Sequence, residues 1–119
     1  MIYIVDDDEA TRDSLRLLLE AEGFAAREFA AGRPFLDDVR PANGDCLILD
    51  VHMPGMSGLD VLEELRRQGH WLPIIIITAR LDDTTRNRAL AGGVLAVVEK
   101  PPPVDELLAF VRTATGTGS

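Results

Sequence analysis

The chain has 119 residues, of which 46% are hydrophobic and 27% charged, the composition of one ordinary globular domain built on one core. A net charge of −8 and a pI near 4.6 argue against direct nucleic-acid contact through phosphates, and no apolar run approaches the roughly 20 residues of a membrane span. The N-terminus lacks the basic flank of a secretory signal, so the expected location is the cytoplasm, with no membrane contact.

Taken in order, Ile2 to Val5 is a short β-type run halted by four consecutive acids, Asp6 to Glu9. Asp8 and Glu9 are accounted for as a helix start, where acids favour the positive end of the dipole. Leu15, Leu18 and Leu19 then recur at helical spacing, and Gly23 supplies a stop. Phe24 to Phe29 reads as a weaker second strand, and Pro34 to Val39 as a short helix with its proline in the first turn. A Pro41-Ala42-Asn43-Gly44 turn leads into the next strand. Its first residue, Cys46, is the only cysteine, has no internal disulfide partner, and is expected to be a small core residue.

Leu47 to Asp50 is an apolar run ending abruptly in a carboxylate, followed by a Pro54-Gly55 turn, the pattern of a buried strand that delivers one acid to the edge of a sheet. Ser57 and Asp60 are spaced as a capping box for a third helix, with Leu59, Leu62 and Leu65 on one side and Gly69 as its end. Pro73 to Thr78 is apolar without alternation, as in a parallel strand covered on both faces. Asp82 to Leu90 carries only a thin apolar stripe and is expected to be the least firmly packed helix, closed by Gly92-Gly93. Val94 to Val98 forms a fifth strand leading to Glu99-Lys100. After Pro101-Pro102-Pro103, Val104, Leu107, Leu108 and Val111 give a last amphipathic helix. The domain is expected to occupy residues 1–114, with 115–119 a disordered tail or the start of a linker.

Five strands alternating with helices over short connections predict an α/β fold with a doubly wound parallel sheet. Four of the five strand ends carry a polar group: Asp6-Asp7, Asp50, Thr78 and Lys100. With strand order 2-1-3-4-5, the first and third strands flank the point where the chain reverses direction, which brings Asp6, Asp7 and Asp50 together. Three carboxylates so close need a counter-charge. A hard divalent cation, Mg²⁺ or Mn²⁺, suits an all-oxygen site, and Lys100 and Thr78 add a positive charge and a hydroxyl donor. Such a cradle fits phosphoryl transfer onto Asp50.

These residues carry a resemblance. Ile4-Val5-Asp6-Asp7-Asp8, the segment from Leu49 through Asp50, Met53 and Pro54 to Gly58, Ile77-Thr78-Ala79 and Glu99-Lys100-Pro101, together and in order, resemble a response-regulator receiver domain of two-component signalling over almost the whole chain. The resemblance implies a flavodoxin-like (βα)5 fold. It also implies that Asp50 accepts a phosphoryl group from a phosphohistidine of a sensor histidine kinase or phosphotransfer protein. Asp6, Asp7, Asp50 and the His52 backbone carbonyl would bind the metal, and Thr78 and Lys100 would hold the phosphoryl group. Further implications are a cis Lys100–Pro101 peptide, an influence of His52 and Arg80 on phosphate loss, and homodimerisation through the fourth helix, fifth strand and fifth helix.

Two positions depart from the family pattern. Val97 stands where an aromatic ring usually swings inward on activation, and Pro102 replaces another aromatic. A relay without the ring, through Thr78 and the loop after it, is therefore expected. Of the rival readings, a flavin carrier conflicts with the acidic first loop, which would repel phosphate. An aspartate-nucleophile phosphatase lacks the second acid two residues after Asp50, where His52 stands. A degenerate receiver acting as an interaction module without phosphorylation is the alternative that Val97 keeps open. His70, beside Trp71, is expected to be ordinary surface.

Overall fold

The computed structural model describes residues 1–116. Five strands, β1 (Ile2–Val5), β2 (Ala26–Phe29), β3 (Cys46–Asp50), β4 (Ile74–Thr78) and β5 (Ala96–Glu99), alternate with α1 (Glu9–Ala21), α2 (Gly32–Asp38), α3 (Gly58–Arg67), α4 (Asp83–Ala91) and α5 (Val104–Thr115). The strands pair in parallel in the order β2-β1-β3-β4-β5, the flavodoxin-like order.

Side chains of the strands divide strictly between the two faces. Leu47, Leu49, Ile74 and Ile76 pack with Phe35, Leu62 and Leu65 from α2 and α3, whereas Cys46, Ile48, Ile75 and Ile77 pack with Leu15, Leu19, Leu107 and Val111 from α1 and α5. A sheet covered on both sides has no polar face, which is why the β3 and β4 sequences lack alternation. The contribution of α4 is thinner, with Thr85 and Ala89 its buried residues.

Element boundaries differ from the sequence reading where turn chemistry decides them. Phe24 is not strand: its amide bonds to the Leu19 carbonyl at 2.9 Å and the Gly23 amide to Glu20 at 3.0 Å, with Gly23 at φ 89°. That is a Schellman closure of α1, and Phe24 packs in the same apolar layer as Leu19. The same closure recurs after α3, where the His70 amide bonds to Leu65 at 2.9 Å, leaving His70 half-buried rather than simply on the surface. α2 begins two residues before Pro34, and β5 begins at Ala96 rather than Val94. Thr115, expected in the tail, is the last residue of α5 and its hydroxyl donates to the Val111 carbonyl at 2.9 Å, and Gly116 caps the helix at φ 72°; residues 117–119 of that expected tail lie outside the described residues.

Candidate functional site

Strand register places the polar residues. Val5 is level with Leu49, so Asp6, just past β1, and Asp50, the last residue of β3, leave the sheet side by side. Asp50 is level with Ile77 and Thr78 with Glu99, which steps Thr78 and Lys100 one residue further along the same edge. Gly58 fixes the backbone behind Asp50: its amide donates to the Val51 carbonyl at 2.9 Å, and a Cβ at this position would lie 2.0 Å from the Asp50 carbonyl oxygen. The Ser57–Asp60 capping box starts α3 directly after this contact, as the spacing predicted.

Asp6 and Asp50 are buried, at 0% and 3% exposure, while Asp7 is exposed. Oxygens of all three lie within 4.8 Å of one another. Lys100 Nζ stands 2.8 Å from Asp6 Oδ2 and 3.3 Å from Asp50 Oδ1, one ammonium between two buried acids. Burial, and then the charge of Asp6, push the Asp50 carboxyl above its ordinary range against the pull of Lys100. Burial acts to lower Lys100, but the hydrogen bond to Asp6 and the charges of both acids outweigh it and hold the ammonium above its usual value.

The donor set fits a small hard cation. Ligands of an octahedral Mg²⁺ at about 2.1 Å stand about 3 Å apart when adjacent and about 4.2 Å apart when opposite. The oxygens of Asp6, Asp7 and Asp50, all within 4.8 Å of one another, are close to that spacing.

Thr78 is fully buried at the same edge, with its hydroxyl turned to its own loop. It donates to the Arg80 carbonyl at 3.0 Å and accepts from the Arg80 amide at 3.3 Å. The next amide, Leu81, donates to Glu99 Oε2 at 3.3 Å. Val97 is partly buried against the layer containing Ala89 of α4. His52 and Arg80 expose their side chains beside this edge, and the Lys100–Pro101 peptide is cis.

Sequence reasoning missed Arg12, Glu28 and the role of Gly58. Arg12 Nη1 donates to the Asp6 backbone carbonyl at 2.8 Å and its Nε to Glu28 at 3.1 Å. Neither residue stands at a strand end, and only the three-dimensional contact of α1 with β2 joins them.

The family model described as the response regulator receiver domain matches residues 2–112. The chain is 40% identical over 114 residues to the response regulator protein TmoT of Ectopseudomonas mendocina, covering 96% of this chain and 52% of that protein. It is 36% identical over 115 residues to the transcriptional regulatory protein FixJ of Azorhizobium caulinodans, covering 97% and 54%. The chain thus spans about half the length of the curated relatives it matches. Among solved structures, response regulator StyR superposes with a TM-score of 0.90 at 36% identity, over 97% of this chain and 58% of that one. A response regulator receiver protein of Burkholderia phymatum gives 0.83 at 36% identity, over 99% and 96%.

Proposed function

The chain belongs to the response-regulator receiver family, a signalling domain rather than a metabolic enzyme, and from that premise we propose that Asp50 is the phosphoacceptor of a phosphorylation-dependent switch. The observation that carries this reading is the juxtaposition of Asp50 with Asp6, Asp7 and Lys100 at one edge of the sheet. Receiver domains bind Mg²⁺ at such an acidic cluster; here Asp6, Asp7, Asp50 and the His52 carbonyl would hold Mg²⁺ or Mn²⁺, which supplies charge neutralisation on the transferring group when bound.

The donor is a phosphohistidine of a sensor histidine kinase or phosphotransfer protein. An Asp50 oxygen attacks phosphorus in line as the P–N bond breaks, and the departing imidazole takes a proton. Lys100 stays on Asp50 Oδ1 and counters charge on the phosphoryl group, which carries roughly −1.5 to −2 charges in place of the single carboxylate charge of Asp50. Thr78 carries one hydroxyl proton. Turning it from the Arg80 carbonyl to a phosphoryl oxygen releases the loop leading into α4, a relay that needs no aromatic at Val97. The partner docks beside the site, where a groove of about 430 Å³ runs between Ala10, Ser14 and Leu15 of α1 and the Lys100-Pro101-Pro102 turn.

The output is regulation of an attached domain or a partner, in the cytoplasm. The receiver unit runs to the end of α5 at Thr115, one residue beyond the expected 114, and α4, β5 and α5 offer the surface for a homodimer. Among the described residues no helix is long and apolar enough to cross a membrane, and the charge of −8 disfavours direct nucleic-acid contact by this domain. Intact mass after treatment with acetyl phosphate or phosphoramidate and Mg²⁺ tests the reading. One phosphate-sized increment is expected for the wild type, lost in Asp50→Asn and in chelator. A folded, Mg²⁺-binding protein that gains no increment would instead act as an interaction module without phosphorylation.

A further inference from the structure

Besides its contact with Lys100, Asp6 is held at three further points. Its amide donates to the Phe29 carbonyl of β2 at 3.1 Å, its Oδ1 accepts from the Asp8 amide at 2.9 Å, and its carbonyl accepts from Arg12 at 2.8 Å. The Asp6 carbonyl and the Asp7 amide share one peptide plane. The Arg12 bond therefore fixes the direction in which Asp7 leaves the turn, although Arg12 is not itself bonded to the Asp7 side chain. The Arg12 side chain is mostly buried, at 13% exposure, and its Nε is anchored by Glu28 Oε1 at 3.1 Å. Glu28 also takes Arg16 Nε at 2.8 Å, and register sets Glu28 beside Ile4, two residues before Asp6. The fork of a guanidinium suits this task, since one planar group reaches a carbonyl and a carboxylate at once.

We infer that Arg12, locked by Glu28, is a positioning residue for the cation-binding carboxylates Asp6 and Asp7, joining β2 to the site. The inference rests on the metal reading given above. Glu28, which pairs with Arg12 and Arg16, also partly offsets the guanidinium charge, so that Arg12 can sit on a cation-binding turn without its full charge opposing a cation.

Titration of the full chain with Mg²⁺, followed by the amide NMR signals of Asp6 to Asp8, tests this without reference to phosphorylation. Arg12→Met is expected to weaken Mg²⁺ binding about tenfold, the usual scale for removing a group that orients a metal ligand. Arg12→Lys keeps the charge but cannot span both partners, and falls between. Glu28→Gln, which does not touch Asp6, weakens binding in the same direction. Arg16→Met loses its ion pair with Glu28 but has no contact with Asp6, and stays within about twofold of wild type; this separates positioning from a general loss of stability. Wild-type affinity in Arg12→Met, or an equal loss in Arg16→Met, overturns the inference alone. A wild-type protein that takes up no Mg²⁺ overturns it together with the metal reading.

Discussion

The Lys100 ammonium lies between Asp6 and Asp50, so two buried carboxylates share one positive charge and Asp7 adds a third negative one nearby. The fold holds this arrangement against its own electrostatics, and Asp50, which is pushed above the ordinary carboxylate range chiefly by burial, carries the strain. The folded protein therefore binds the Asp50 proton more tightly than the unfolded chain does. Between the unfolded and folded values Asp50 costs stability as pH rises, and below both it costs nothing. In chelator at pH 7, Asp50→Asn is expected to be more stable than wild type by about 1 kcal/mol, several degrees in Tm. That advantage should shrink as pH is lowered through the carboxylate range. Thermal melts of both proteins across pH would show it; a mutant less stable than wild type at pH 7 would mean that Asp50 is favourably paired by Lys100 after all. The residues involved were all legible in the sequence, because each sits at a strand end where a polar group interrupts an apolar run. The Lys100 bridge between Asp6 and Asp50 was not, since it depends on side-chain reach across 94 positions of chain.

Strands and helices hold the site through their ends, and α3 does so most directly. Its first residue, Gly58, packs against the backbone that carries Asp50, with room for no side chain: an added Cβ would lie 2.0 Å from the Asp50 oxygen and 2.8 Å from the Asp50 carbonyl carbon. The obstacle is backbone and cannot rotate away. Gly58→Ala gains less than 1 kcal/mol from helix propensity and is expected to lose more through overpacking, for a net destabilisation of about 1–2 kcal/mol. A denaturant melt gives that number, and phosphorylation by small donors should slow in the same variant because Asp50 is displaced; unchanged stability and rate would show that the loop before α3 yields freely. The helices and strands themselves were readable from periodicity, capping pairs and Gly/Pro punctuation, down to the Ser57–Asp60 box. What sequence could not supply were contacts between elements distant in the chain, such as Gly58 on Asp50 or Arg12 between Asp6 and Glu28. The start of β2 was misplaced for a related reason: Gly23 opens a turn whose hydrogen bonds draw Phe24 back onto α1 and out of the strand, whereas at the start of β5 the Leu95 amide already bonds to the Ile74 carbonyl of β4 at 2.8 Å, so that boundary differs by the turn at Gly93 alone.

At the scale of the molecule, two faces of one sheet are closed unequally. α4 buries only Thr85 and Ala89 and follows directly on the loop that Thr78 holds, so it is the helix most readily shifted when that hydroxyl changes partner. Leu90 on α4 and Leu95 just before β5 remain exposed at 52% and 38%, and Val104 at the start of α5 at 51%. A two-fold pairing through α4, β5 and α5 would cover apolar surface of this kind. Two copies at −8 each repel, and phosphorylation adds to that charge. If this surface pairs, association would have to come from rearranged α4 contacts rather than from net electrostatics. Sedimentation with and without a phosphoryl mimic and Mg²⁺ is expected to show monomer passing to dimer, and Leu90→Glu to remain monomeric in both. Higher salt, which screens the net repulsion, should favour the dimer. Monomer in both states of the wild type would remove this surface as the homodimer face and leave the altered loop and α4 to be read by a different partner.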